Sequence, residues 1–418
     1  VAGFDAHRPP EQSVIDDCVH CGFCLDSCPT YTLWSDEADS PRGRIVLMAE
    51  ALSEEGELSD EMVTHFDRCL GCMACVTSCP SGVAYDRLIE RVRPQVERHH
   101  DRPPAERAFR RLLFETLPHP RRMRALAPLL AAGRRLPLER LDERLAMAAK
   151  VAPQARASEV WRGARLPTRV APSGERRGRV GLLLGCVQRV FFPDVHRATI
   201  RTLVAEGFEV LAPRLPDCCG ALELHAGAEE AAIARVRKTM AAFTDVDYIV
   251  TNAAGCGSAM KGYGELIDDT ASRLFSLKVR DICELLADVE PRTPRGPVPL
   301  RVAYHDACHL AHAQGIREEP RALLRAIPEL DLLEVAREPQ ICCGSAGIYN
   351  LVEPEAASQL GARKAGSLLD TGAQAIAAGN PGCTAQLDLH LREAGHPLPI
   401  YHPIELVWRS IEAGRRPA

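Results

Sequence analysis

The sequence predicts an α + α/β protein: an all-helical amino-terminal domain, a helical connector and two tandem α/β units. Three observations predict it. Residues 1–100 carry two dense cysteine runs but no alternating apolar pattern, residues 101–178 alternate amphipathic pieces with prolines, and from residue 179 onward strand-like runs alternate with helices in an order that occurs twice. At 418 residues the chain is long enough for several cores, and 46% hydrophobic with 26% charged residues is ordinary for a globular protein.

In the first unit, expected over 1–100, Arg42 to Leu52 reads as helix because Ile45, Val46, Met48, Ala49 and Leu52 cluster at helical spacing. The second, 101–178, holds pieces such as Ala105 to Leu117 between prolines at 118, 120, 128, 137 and 153, and reads as helices joined by proline breaks. The third, 179–295, offers strands at Val180 to Leu184, Glu209 to Ala212 and Tyr248 to Thr251, with one long helical stretch from Glu223 to Phe243. The fourth, 296–418, repeats the order with strands at Val302 to Tyr304, Leu332 to Val335 and Ala375 to Ala378 and a helix over Pro354 to Leu369. Landmarks keep register between the last two: Cys186 and Cys308, Cys218 and Cys342, Cys256 and Cys383, Glu284-Leu285 and Glu405-Leu406. An internal repeat follows, and its cysteines trail the strands, where open α/β sheets bind their ligands.

Charge is polarised. Residues 1–90 carry 5 Lys/Arg against 17 Asp/Glu, and residues 91–180 carry 22 against 9. The basic block suits an acidic partner, an anionic membrane surface, or a solvated helical linker. The amino terminus lacks a signal-peptide pattern and no segment is apolar enough to span a bilayer, so a cytoplasmic protein, at most peripheral at the inner membrane face, is expected. In that compartment the 17 cysteines read as metal ligands and core residues instead of disulfides.

Cys18-x2-Cys21-x2-Cys24-x3-Cys28-Pro29 and Cys69-x2-Cys72-x2-Cys75-x3-Cys79-Pro80 are two complete copies of the bacterial ferredoxin run. Three thiolates on one tight loop cap three corners of a cubane, and the fourth serves the other cluster. Cys18, Cys21, Cys24 and Cys79 are therefore expected on one [4Fe–4S] cluster, and Cys69, Cys72, Cys75 and Cys28 on the second. Gly22 and Gly71 leave room for close backbone, and the prolines are expected to keep the loop from closing into helix. Zinc is the rival metal for paired C-x2-C motifs, and fourfold runs ending in Cys-Pro favour iron–sulfur.

Each α/β repeat supplies a cysteine after its first strand, an adjacent Cys-Cys-Gly and a later cysteine: Cys186, Cys218, Cys219 and Cys256 in the first, Cys308, Cys342, Cys343 and Cys383 in the second. Four soft ligands suffice for one [4Fe–4S] cluster per repeat. Cys283 has Ile404 as its counterpart and reads as a core residue. Among His305, His309 and His312, expected to be hydrogen-bonded fillers, only His309 adjoins Cys308 and can stand in as a ligand. Asn252 and Asn380 read as loop-holding residues.

The Cys-Cys-Gly repeats resemble those of heterodisulfide reductase catalytic subunits. The segments Cys18 to Tyr31, Pro41 to Arg44, Asp67 to Cys72, Cys79 to Gly82, Cys342 to Gly347 and Asn380 to Cys383 closely resemble the glycolate oxidase iron–sulfur subunit family. The heterodisulfide pattern has a fifth cysteine per repeat, where this chain has Ala259 and Gln386. That departure argues against heterodisulfide chemistry, and leaves one or two further clusters set against buried thiols in a degenerate site. The resemblance implies an electron-transfer subunit of a flavin-dependent 2-hydroxy-acid dehydrogenase, inactive alone, taking electrons from an FAD-containing partner and passing them toward a quinone. No dinucleotide fingerprint and no nucleic-acid partner is expected. A heterodisulfide-type thiol–disulfide oxidoreductase, or the subunit of a D-lactate or anaerobic glycerol-3-phosphate dehydrogenase, are the alternatives.

Overall fold

A computed structural model describes residues 3–415 apart from 54–55, 135, 137, 141, 155–159 and 161–164, so Pro137 lies outside the described residues. The amino-terminal part is all helix among those residues: Gln12–Asp16, Pro29–Trp34, Pro41–Leu52, Asp60–Arg68, Ala74–Ser78 and Tyr85–His99. Pro29 opens a helix at its first position instead of preventing one, because its missing N–H would be unsatisfied there anyway and its φ is already helical. Met48, Phe66, Leu88, Ile89 and Val92 form the core of this part. One polar cluster is buried with them. Arg44 donates to the His65 carbonyl at 2.6 Å and to Asp39 Oδ1 at 3.1 Å, and Asp39 also accepts from Arg68 at 2.9 Å. The cluster ties the helix Pro41–Leu52 to the segment after Cys28, since Arg44 also reaches Thr30.

The connector supplies helices Pro104–Thr116, Pro120–Gly133 and Glu143–Val151. Pro128 lies inside the second of these and does not break it. Met123 and Ala127 of that helix pack on the first α/β repeat, and this tertiary contact holds a proline-bearing helix that local propensity disfavours. Many of the basic residues near this region are already paired: Arg102 with Asp67 at 2.6 Å and Glu106 at 2.9 Å, Arg98 with Asp5 at 2.8 Å.

Two sheets follow. The first contains β1 Arg169–Val170, β2 Gly178–Leu182, β3 Phe208–Leu211, β4 Tyr248–Thr251 and β5 Val279–Asp281, in the order β1-β3-β2-β4-β5. The second contains β6 Leu300–His305, β7 Leu330–Leu333, β8 Ala375–Ala378 and β9 Ile400–Tyr401, in the order β7-β6-β8-β9. Without β1, the one antiparallel strand, the two orders are identical and all pairs are parallel. The repeat is therefore structural. Its Glu-Leu landmark is a helix start: Glu284 accepts from the Asp281 N–H at 3.0 Å, and Glu405 accepts from the His402 N–H at 2.8 Å. The sheets share one core, in which Val180 and Leu182 join Val302, Tyr304, Ile404 and Val407.

Several expected elements differ: β2 spans Gly178–Leu182 instead of Val180 to Leu184, and β3 spans Phe208–Leu211 instead of Glu209 to Ala212. Strand β7 ends at Leu333, leaving Val335 buried beyond it. The expected helix over Glu223 to Phe243 is instead Ala221–Leu224 and Glu229–Ala242, interrupted at Gly227 with φ +81°. A Cβ at Gly227 would stand 2.4 Å from the Arg93 carbonyl oxygen, so the chain breaks where the repeat lies flush against the helix Tyr85–His99.

Candidate metal centres

In the amino-terminal part, Cys28 lies with Cys69, Cys72 and Cys75 around one small cavity that Arg44 and Tyr85 also line. All four of these cysteines are buried. The other expected ligand set is shallower: Cys18, Cys24 and Cys79 are half-buried and Cys21 is exposed. Ser27 and Ser78, each one residue before the fourth cysteine of its run, share a hydrogen bond of 2.6 Å, so the two runs approach one another at their crossing ends.

The donor chemistry suits a metal centre. Burial pushes the Cys72 and Cys75 thiols well above their ordinary range, so they ionise only where a cation compensates them. For Cys69, burial is outweighed by the Arg44 and Arg93 charges, and the thiol is held below its ordinary value. Its sulfur accepts from the Gly71 N–H at 3.4 Å and from the Tyr85 hydroxyl at 3.6 Å. Hydrogen bonds of this kind to sulfur are among the features that tune a cluster's potential.

The eight repeat cysteines all line a single cavity of about 140 Å³ between the two α/β repeats. The chain enters it the same way on both sides. In each Cys-Cys-Gly the glycine has positive φ, +89° at Gly220 and +83° at Gly344, and a Cβ there would stand 3.2 Å and 2.6 Å from the carbonyl oxygens of Ala232 and Ala357. Glycine thus lets the paired cysteines pass close over the first turn of the long helices Glu229–Ala242 and Pro354–Leu369. Across the cavity the Ala254 N–H donates to the Gly379 carbonyl at 3.1 Å, and the Gly255 N–H to Asn380 Oδ1 at 3.4 Å. Asn380 Nδ2 also donates to Cys383 Sγ at 3.5 Å, while Asn252 is turned inward to His196 and Thr199.

Within the first repeat, hydrogen bonds from Cys186 and Cys219 hold Cys218 well below the ordinary thiol value. In the second, a hydrogen bond with Cys342 and burial push Cys308 well above it. Each set has a cation at hand: Arg235, paired with Glu223, beside Cys218, and the buried Lys364 facing Cys342, Cys343 and Cys383.

The second repeat also meets the amino-terminal part. Cys72, Leu70 and Ala74 pack with Cys342 and Cys308, and Thr77 is hydrogen-bonded to His312 at 2.7 Å. The deeper ferredoxin-type set is thus adjacent to the second repeat, which faces the first across the shared cavity. The sequence contains no sign of this adjacency. Cys283 lies apart in the shared core, its backbone N–H donating to Asp281. Neither Ala259 nor Gln386 lines the cavity: Ala259 is in the first repeat's core, and Gln386 bonds to Asn350 and the Ala357 carbonyl.

Family comparisons agree with this layout. Residues 14–83 match a 4Fe-4S dicluster domain, and residues 180–261 and 302–388 a cysteine-rich domain. Residues 105–159 match the linker region of the glycolate oxidase iron-sulfur subunit. The chain is 34% identical over 413 residues to the glycolate oxidase iron-sulfur subunit of Escherichia coli, covering 96% of this chain and 95% of the relative. The chain belongs to the glycolate oxidase iron-sulfur subunit family. A probable family member from Bacillus subtilis is 33% identical over 400 residues, 91% of this chain and 89% of the relative. One subunit of the fumarate reductase (CoM/CoB) of Methanothermobacter marburgensis is 35% identical over 216 residues, which is 52% of this chain and 42% of that protein. Family membership extends over the connector, for which the sequence motifs offered no match. Among the described residues no helix is long and apolar enough to cross a membrane.

Proposed function

We propose that this chain is the iron–sulfur electron-transfer subunit of a flavin-dependent 2-hydroxy-acid dehydrogenase of glycolate oxidase type. Cys18, Cys21, Cys24 and Cys79 hold one [4Fe–4S] cluster and Cys69, Cys72, Cys75 and Cys28 a second. The Cys186, Cys218, Cys219, Cys256 set and the Cys308, Cys342, Cys343, Cys383 set hold further ones. The observation that carries this reading is the unbroken succession of thiol sets, from the exposed Cys21 through the buried second run to the Cys308–Cys342 pair and the shared cavity.

When bound, such clusters accept and release single electrons, which divides a flavin's two-electron oxidation into one-electron steps. The protein's own share is electrostatic and steric. Arg44 and Lys364 place buried positive charge, and Arg235 a half-buried one, beside sets of thiolates, and the apolar packing around Cys72 and Cys342 keeps water from the junction between them. The 2-hydroxy acid is oxidised on an FAD-containing partner, and electrons leave toward a quinone, with the chain at most peripheral to a membrane.

The test is reconstitution. The isolated holoprotein should show no 2-hydroxy-acid oxidation, and adding the flavoprotein subunit with glycolate should reduce its clusters, followed by loss of their visible absorbance. Turnover by the chain alone, or clusters left oxidised by the reduced flavoprotein, would overturn the reading.

A further inference from the structure

Gln386 stands where a fifth cysteine would be, yet it is turned into the core. A different residue faces the second repeat's thiols. His305, the last residue of β6, is 1% exposed, and one of its ring nitrogens lies within 4.8 Å of both Cys343 Sγ and Cys383 Sγ. Neither ring nitrogen has a hydrogen-bond partner. A neutral imidazole carries one donor and one acceptor, and leaving both unmet in a buried site is destabilising unless another partner, such as a metal ion, takes them up. His309 differs: its Nδ1 is 3.5 Å from Cys308 Sγ and its ring meets His225 of the first repeat at 5.0 Å.

The repeats diverge at this point. With Cys308 aligned on Cys186, His305 falls on Leu183, which is buried among apolar residues of the first repeat. At this position, then, only the second repeat carries a nitrogen; His225 of the first repeat also lines the shared cavity, but from the loop after the helix Ala221–Leu224 and against His309. The compactness of the trio matters as well, because metal–sulfur bonds of about 2.3 Å and metal–nitrogen bonds of about 2.0 Å allow a single ion to reach donors at such separations.

We propose that His305 is a nitrogen ligand to an iron of the second repeat's metal centre, forming with Cys343 and Cys383 a mixed imidazole–thiolate set that the first repeat lacks. The inference rests on the reading that the second repeat holds an iron–sulfur centre. A neutral imidazole adds a ligand without adding negative charge, whereas a thiolate at the same place would add one, and imidazole in place of thiolate raises the reduction potential of iron–sulfur clusters.

The experiment uses the full-length holoprotein, purified without oxygen from cells grown on ¹⁵N-histidine and reduced in steps. Iron and zinc are counted, and pulsed paramagnetic resonance reads nitrogen coupling on each reduced signal. A directly bound imidazole coupling is expected on one signal of the wild type. It should be lost in His305→Leu, which copies the first repeat, while both ferredoxin-type signals persist. His305→Cys should keep the iron, lose the coupling and titrate at a lower potential. A repeat signal without nitrogen coupling, or with coupling unchanged in His305→Leu, overturns the ligand assignment while leaving the cluster reading intact. Iron sufficient only for the two ferredoxin-type clusters, or stoichiometric zinc in the repeats, overturns the cluster reading itself and the proposal with it.

Discussion

Single residues in this protein are set by what burial does to charge. Asp281 shows it away from any metal centre. Burial pushes its carboxyl from an ordinary 3.8 up to about 7, although its side chain accepts from the Cys283 N–H at 2.8 Å to cap a helix. A raised carboxyl binds its proton more tightly folded than unfolded, so its contribution is fully present below about pH 3.8 and is lost as pH rises through about 7. Between pH 6 and pH 8.5 the loss amounts to about 1.4 kcal/mol, one pKa unit's worth. Asp281→Asn retains a capping acceptor and cannot ionise. Anaerobic denaturant titrations of variant and wild type at the two pH values should show the variant gaining by that amount at the higher pH, and equal slopes for both proteins would refute the assignment. His305 follows the same logic at a metal-binding position, and the sequence does not reveal it because three histidines around Cys308 look alike until the fold says which one has lost all its partners.

At the scale of elements, local signals are readable wherever one element carries its own pattern. The helix Pro354–Leu369 and the strands β4 and β8 lie where period and composition put them. The short edges β1, β5 and β9 have two or three residues each, too few for any alternation to register. Gly227 and Pro128 mislead a local reading for a different reason: contacts with distant elements decide both, breaking a helix at one and sustaining a helix at the other. The expectation that the two cysteine runs exchange their fourth ligands comes from spacing alone, and it yields a prediction at this scale. Cys28 sits with the second run's cysteines, so Cys28→Ser should lose about four irons and the resonance of the buried cluster, while Cys79→Ser should damage the other. Iron analysis and paramagnetic resonance of both variants check it, and damage confined to the first-run cluster in Cys28→Ser would contradict the pairing.

For the whole molecule, the sequence discloses four thiol sets and the resemblance assigns them a task, but their spatial order is a product of long-range packing. No local pattern announces that Cys72 lies against Cys308 and Cys342, or that equivalent cysteines over a hundred residues apart in two tandem repeats close on one cavity. That order imposes a gradient of access. Cys21 is exposed, its neighbours Val19 and Phe23 are 68% and 70% exposed, and Cys18, Cys24 and Cys79 are only half-buried. Cys28 and the first three cysteines of the second run are buried, and six of the eight repeat cysteines are buried, Cys256 and Cys308 being half-buried, around the cavity between the two repeats. Water, oxygen and chelators reach a centre in proportion to such exposure, because a buried centre is attacked only when the surrounding core opens, and opening a packed core costs a large part of the folding free energy. Incubating the oxidised holoprotein with an iron chelator should therefore remove about four irons in a fast phase that abolishes the first-run signal, followed by a slower phase for the rest. Timed iron release with paired resonance spectra measures both. Simultaneous loss of all signals would mean that global opening governs release, and earlier loss from the repeats would mean that their shared cavity, and not the surface run, is the exposed end of the series.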